Sequence, residues 1–326
     1  MKKILGIGNA LVDVMTMLDN DSYLKKFGLP KGSMQLVDHV KSGIIKSQTA
    51  GLKSTLTSGG SAANTIHGLA MTGLETGFIG SIGKDELGDF FENDMRKAGV
   101  KTCLIRREST TGTAIALISP DSERTFATHL GAAVELEAAD LTPELFTGYD
   151  ILYLEGYLII NKPLVDTACR IAKELNMKVA IDMASYNVVD ARRDDFTEIV
   201  EKYADIVFAN EDEARSFTSE YPEAALKTIS GMCEIAVVKV GSEGSWIKRG
   251  EEVLTVEALP VSLKDTTGAG DLYAAGFLYG YALNEGLENC GLYGSVLAGN
   301  VIEIIGARMD SERWKRVLEE IKKINS

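Results

Sequence analysis

Lys264-Asp265-Thr266-Thr267-Gly268-Ala269-Gly270-Asp271 runs straight into Leu272-Tyr273-Ala274-Ala275-Gly276-Phe277. A turn dense in Gly and Thr that feeds a Pro-free run of small residues predicts a helix N-terminus standing close to another group. The amides of Gly268, Ala269, Gly270 and Asp271 then point outward together at the positive end of the helix dipole, which makes an anion site. A carboxylate there is repelled by a bound phosphate unless it is placed to accept a proton. Two readings follow. Asp271 is a base beside a phosphoryl hole, or it offsets the dipole of a capped helix whose glycines only permit close packing.

Upstream of this stretch, from Tyr149 onward, strands and helices alternate. Segments 151–155, 178–182, 205–209 and 235–240 read as strands, separated by helices near 162–175, 190–202 and 210–231. That pattern predicts a parallel sheet covered on both sides, with ligands at the carboxyl ends of its strands. Asp182, Asn210 and Gly241 should then face one crevice. The acids of Asn210-Glu211-Asp212-Glu213 either hold a metal through water or suit the dipole of the helix they open. Gly241-Ser242-Glu243-Gly244 is a tight turn that either admits phosphates or reverses the chain. Residues 246–247 and 253–256 read as an edge hairpin, a largely apolar helix is expected over 292–305, and 312–324 closes the fold.

Nearer the N-terminus, Gly6 and Gly8 open like a dinucleotide fingerprint. Leu11 occupies the third glycine position and no helical period follows, so a Rossmann cofactor site is not expected. Residues 12–17 alternate like a strand instead, carrying Asp13 as a ligand contact or a solvated strand residue. In Gly59-Gly60-Ser61-Ala62-Ala63-Asn64 the glycine pair lets backbone approach a ligand, and Ser61 is placed to cap a helix running to Met71. Asn64 falls one turn inside, either toward that opening or satisfied locally. Residues 85–98 form an amphipathic helix, and Gly83-Lys84 is not a Walker loop.

Strand-like pieces 103–107, 113–119 and 124–128 follow, with turns at 109–112 and at Pro120-Asp121-Ser122. With 14–18 and 33–37 they are expected to form a small antiparallel sheet off the main domain, acting as a lid. The expected division is an α/β core of 1–13, 38–102 and 129–326, and a lid of 14–37 and 103–128.

The chain has 326 residues and is 45% hydrophobic, enough for a large core. Its net charge of −13, from 34 basic and 47 acidic residues, argues against nucleic-acid and membrane partners. Cys103, Cys169, Cys233 and Cys290 are scattered singly and there are three histidines, so neither a zinc site nor a disulfide frame is expected. A reducing, cytoplasmic setting fits this usage. No apolar run approaches the ~20 residues of a membrane span.

Gly59–Asn64, Asn210–Glu213 and Asp265–Asp271 together resemble the glycine-pair, Asn-x-x-Glu and Asp-Thr-x-Gly-Ala-Gly-Asp motifs of the ribokinase-like (PfkB) carbohydrate kinases. The resemblance covers nearly the whole chain, in order. Gly8–Asp13, Gly80–Asp85 and 124–133 look like the adenosine kinase branch more than the sugar kinases. Asp182-Met183-Ala184-Ser185 also departs from the Asp-x-Asn-x-Arg run of the sugar kinases.

The resemblance implies a three-layer α/β/α sandwich with a mainly parallel central sheet and a small β-sheet lid. It implies transfer of the γ-phosphoryl of ATP, with Mg²⁺, to a hydroxymethyl group of a ribose-containing substrate such as adenosine, or of a sugar. Asp271 would be the base, and the amides of Gly268, Ala269 and Gly270 would stabilise the transferring group. Asp13, Gly59, Gly60 and Asn64 would bind the acceptor. Asn210, Gly241 and Asn300 would contact ATP, and Glu213 would organise the metal. Arg124 is expected to neutralise phosphates or to stand as an exposed strand charge; Tyr157 or Leu158 packs on a purine or in the core. The resemblance leaves monomer and homodimer open.

Overall fold

The computed structural model describes residues 1–121 and 123–324, so Ser122 of the expected turn lies outside the described residues. Among these residues, strands form two sheets. In chain order they are β1 (Ile4–Ile7), β2 (Leu11–Met17), β3 (Met34–Leu36), β4 (Ser54–Gly59), β5 (Thr76–Gly83), β6 (Lys101–Arg107) and β7 (Gly112–Ile118). The remainder are β8 (Arg124–His129), β9 (Ile151–Glu155), β10 (Lys178–Asp182), β11 (Ile206–Asn210), β12 (Ile235–Lys239), β13 (Ser245–Arg249) and β14 (Glu252–Val256).

The large sheet runs β14-β13-β12-β11-β10-β9-β1-β5-β6. It is parallel except for the hairpin β13–β14 and its junction with β12. Successive residues of a strand point to opposite faces, so each central strand feeds two cores. Ile4, Phe78, Tyr153 and Phe208 lie in one, under the helices Ser61–Met71, Ala269–Ala282 and Leu287–Val301. Leu5, Ile79, Leu154 and Val207 lie in the other, under Lys162–Glu174 and Arg193–Tyr203. The result is a three-layer α/β/α sandwich.

The smaller sheet runs β3-β8-β7-β2-β4. Its membership departs from expectation at both ends of the sequence range. Residues 103–107 were assigned to it, but β6 pairs in parallel with β5 at the edge of the large sheet. Parallel neighbours need a crossover, and the helix Glu86–Lys97 supplies one immediately before β6. The smaller sheet instead recruits β4, antiparallel to β2. It is also mixed rather than antiparallel, since β2–β7 and β3–β8 run parallel.

Ile115, Leu117 and Ala127 on one face of this sheet pack with Leu24, Phe27 and Ile45. Leu24 and Phe27 come from the helix Ser22–Phe27, and Ile45 from His39–Thr49, which expectation had placed with the core. The opposite face carries Asp13, Ala114 and Thr128 in register across β2, β7 and β8. Other differences are local. The helix expected over 210–231 is two, Glu211–Thr218 and Pro222–Ser230, because Pro222 lacks the N–H that would continue the first. Residues ahead of 192 form a separate short helix, Tyr186–Ala191, and the helix expected over 292–305 is Leu287–Val301.

Candidate active site

A cavity of about 1440 Å³ lies between the carboxyl ends of the parallel strands and the open face of the smaller sheet. Asp182 ends β10, Asn210 ends β11 and Gly241 follows β12, and all three line it as the strand order requires. Asp271 enters from the first turn of the helix Ala269–Ala282, whose N-cap is Gly268 in the left-handed region at φ 78°. Its carboxylate accepts hydrogen bonds from Ser61 Oγ (2.7 Å) and Asn64 Nδ2 (2.9 Å). Burial pushes its pKa up to about 6 against the pull of those two donors.

Ser61 therefore does not cap its own helix. Gly60 is the N-cap, with no side-chain cap bond, and the Ser61 hydroxyl is spent on the carboxylate 210 residues away. Asn64 likewise reaches Asp271 directly, and its Oδ1 is buried with no partner among the described residues. Of the expected amides, that of Ala269 is not free, since it donates to the Thr266 carbonyl (3.1 Å). No acceptor is found among the described residues for the N–H groups of Gly268, Gly270 and Asp271, so these three are left unpaired at the helix N-terminus.

The loop before the helix is fastened by Asp265, which accepts from Thr267 N, Thr267 Oγ1 and Gly306 N. It also forms an ion pair with Arg124, which donates to Thr267 Oγ1 (3.0 Å). Arg124 is thus neither an exposed strand charge nor free to meet phosphate. Its side chain is 11% exposed, and it ties β8 to the glycine motif because Asp265 faces inward.

Asp13 lines the cavity from β2, and its carboxylate has no hydrogen-bond partner among the described residues. Burial pushes its pKa up to about 7; Arg308 pulls it down and Asp271 raises it further. The two glycines opposite keep this corner open. A Cβ on Gly59 would run into the Asp13 carboxylate, and one on Gly60, at φ 101°, into the Asn9 carbonyl. Sequence reasoning missed Glu155 here. It accepts from Asn9 N (2.9 Å), Asn9 Nδ2 (2.5 Å) and Ala62 N (2.8 Å), which ties the end of β1 to the start of the Ser61–Met71 helix. Burial raises its pKa to about 7. The available signal was an acid closing the otherwise apolar run of β9.

Asn210 and Glu213 form a reciprocal capping box. Glu213 N donates to Asn210 Oδ1 and Asn210 N to Glu213 Oε2, both at 2.8 Å, while Asn210 Nδ2 donates to Glu213 Oε1 (2.7 Å). Both residues still line the cavity. Lys239, at the end of β12, was also missed; it is paired with Asp182 at 2.9 Å. Tyr157 and Leu158 both line the cavity, the Tyr157 hydroxyl donating to the Ala184 carbonyl (3.3 Å). Asn300 is not brought to it. It is 1% exposed, and its amide donates to the Val296 carbonyl and to Glu320 on the outer helix Ser311–Ile324, away from the crevice.

A buried carboxylate and unpaired main-chain donors thus converge at one helix N-terminus inside a two-sided cleft. The pattern that describes pfkB family carbohydrate kinases matches residues 37–314. The chain belongs to this family. An uncharacterized sugar kinase of Archaeoglobus fulgidus is 33% identical to it, over 74% of this chain and 96% of the relative. An adenosine kinase of Saccharomyces cerevisiae is 28% identical, over 94% and 96%. The solved structure of adenosine kinase from Sinorhizobium meliloti superposes with a TM-score of 0.87 at 34% identity, over 98% of this chain and 99% of that one. This pfkB kinase is therefore an ATP-dependent enzyme that phosphorylates a hydroxyl group on a sugar or nucleoside. Among its described residues no helix is long and apolar enough to cross a membrane.

Proposed function

We propose that the enzyme phosphorylates the hydroxymethyl group of a nucleoside, adenosine being the reference acceptor. The observation that carries this is the presence of two apolar walls on either side of one polar floor. Leu11, Met34, Leu36, Phe126, Leu130 and Val134 line the cavity on the smaller-sheet side; Leu259, Val261, Leu263, Ala298 and Ile302 line it beyond the glycine motif. One apolar slot suffices for ATP and a free sugar. Two suit a base on the acceptor as well as on the donor.

In this reading the ribose lies against Asp13, whose unpaired carboxylate accepts from paired hydroxyls. Its hydroxymethyl oxygen lies at Asp271, and the triphosphate lies along Gly241 and the cradle of Gly268, Gly270 and Asp271. Asp271 takes the acceptor proton as the oxygen attacks the γ-phosphorus, and the cradle amides meet the charge that develops on the transferring group. Asp13 and Asp271 carry different hydrogen-bond sets because their tasks differ. Asp271 is held in one orientation by Ser61 and Asn64, while Asp13 keeps its oxygens for the ligand.

No group of three or more His, Cys, Asp or Glu able to cage a metal exists among the described residues. Mg²⁺ is commonly held by nucleotide phosphates, waters and one or two carboxylates rather than by a cage of side chains. Glu213 and Asp182 face the cavity with lone pairs left for such waters. The ion supplies charge neutralisation to the phosphates. Closing the smaller sheet over the acceptor excludes water, which would otherwise accept the phosphoryl group.

The test is a panel of adenosine, other nucleosides, ribose and fructose with ATP and Mg²⁺. Adenosine should exceed the free sugars in kcat/KM by about 100-fold or more, the scale at which an apolar pocket discriminates. Preference for a free sugar would assign the enzyme to the sugar kinases of the family.

A further inference from the structure

Seven carboxylates line the cavity: Asp13, Glu155, Asp182, Glu211, Asp212, Glu213 and Asp271. Among the described residues lining it, one side chain is cationic, that of Lys239. A nucleoside triphosphate brings further negative charge into this cleft. Arg124, a further cation near the glycine motif that does not line the cavity, is committed to Asp265. Lys239 has a different position. Its side chain is 14% exposed, and its ammonium lies 3.2 Å from where a Cβ on Gly270 would stand. It is therefore set against the same helix N-terminus whose amides are free.

We propose that Lys239 is a further catalytic residue, which leaves Asp182 to contact the γ-phosphoryl group and completes the cradle formed by the Gly268, Gly270 and Asp271 amides. Asp182 is its resting counter-ion, held in place by the Ala184 N–H (2.9 Å). Asp182 and Glu213 outweigh the effect of burial and hold the ammonium protonated, so it acts as a fixed charge. The bond from the acceptor oxygen to phosphorus forms as the bond to the bridging oxygen breaks. ADP leaves with that electron pair, the acceptor proton passes to Asp271, and Lys239 neither gains nor loses a proton. The inference rests on the phosphoryl transfer common to the family and is independent of which acceptor is used.

Two measurements on the full chain test it. In steady-state kinetics with the best acceptor of the panel, Lys239→Met should lower kcat about 100-fold, the usual cost of one lost oxyanion donor, with acceptor KM within about threefold of wild type. In calorimetry without divalent metal, Lys239→Met should weaken AMP-PNP about tenfold while ADP, which lacks the γ-group, changes less than twofold. An equal loss for both nucleotides would make Lys239 a structural partner of Asp182 and overturn the proposal. So would near-normal kcat in the variant. Should Asp182, left unpaired, prevent folding of the single variant, Lys239→Met combined with Asp182→Asn removes both charges; this double variant must be about 100-fold slower than Asp182→Asn alone, and equal turnover of the two would refute the role. Wild-type protein that phosphorylates no member of the panel would count against the acceptor reading alone, since the nucleotide comparison stands without it.

Discussion

The two sheets that enclose the cavity are built differently. The central strands of the large sheet are buried on both faces, and the groups at their carboxyl ends are mutually fastened: Asp182 to Lys239, Asn210 to Glu213, Glu155 to Asn9 and Ala62. The smaller sheet is covered on one face only. On the other, Met34 and Leu36 are 54% and 65% exposed and Asp13 has no hydrogen-bond partner among the described residues. On the proposed reading, the groups that transfer the phosphoryl sit at the strand ends of the first and on the helix Ala269–Ala282 packed against it, where packing over-determines each side chain. On the same reading, the groups that meet the acceptor sit on the second. Exposed apolar side chains and an unsatisfied carboxylate both gain most when something covers them.

This division can be broken most decisively at Asp271. Asp271→Asn keeps the shape and Asn64's neighbourhood but removes the base, and turnover should fall roughly a thousandfold or more with both substrates still bound. A variant with near-normal kcat would take Asp271 out of the mechanism. Asp13→Ala acts on the other sheet. Its acceptor KM should rise about 10- to 100-fold, as expected for loss of charge-assisted hydrogen bonds, with the KM for ATP little changed. Equal effects on both substrates would place Asp13 outside the acceptor site.

Phe126→Ala sharpens the contrast further. It should cost adenosine about tenfold in kcat/KM and leave ribose unaffected, because only the base reaches that wall. Parallel losses for both acceptors would show that Phe126 supports the sheet rather than the ligand. The smallest effect concerns stability. The folded-state pKa of Asp13 is raised to about 7, so the unfolded chain ionises it first, and the fold loses stability as pH rises from about 4 to 7. Asp13→Asn removes that loss. Its gain in Tm, on the order of 2–4 °C per kcal/mol recovered, should be larger at pH 8 than at pH 5. A pH-independent gain would mean that Asp13 already ionises freely in the unliganded protein.

Much of the large sheet was legible because its periodicity is local. Strand, helix and strand recur within 30 residues, and Asp182, Asn210 and Gly241 fall at strand ends by counting. The smaller sheet was less legible. Ser54-Thr55-Leu56-Thr57-Ser58-Gly59 has too few apolar residues to show a buried alternation, and its strand character comes from pairing with β2. The strand 103–107 looks the same in sequence whether it pairs with β5 or β7, and the preceding helix decides.

Within the site, residue types and spacing drew attention to the glycine motif with Asp271 and to the Gly59-Gly60 pair, since main-chain donors at a helix start and residues that clear space leave a compositional trace; Asp13 stood out only through the resemblance. Pairing across long sequence separations leaves no such trace. That Ser61 serves Asp271 rather than its own helix, that Arg124 belongs to Asp265, and that Asn300 turns toward Glu320 were decided by tertiary structure. The physical reason is that a polar group takes whichever partner burial brings within about 3 Å, and only the assembled fold determines which one that is.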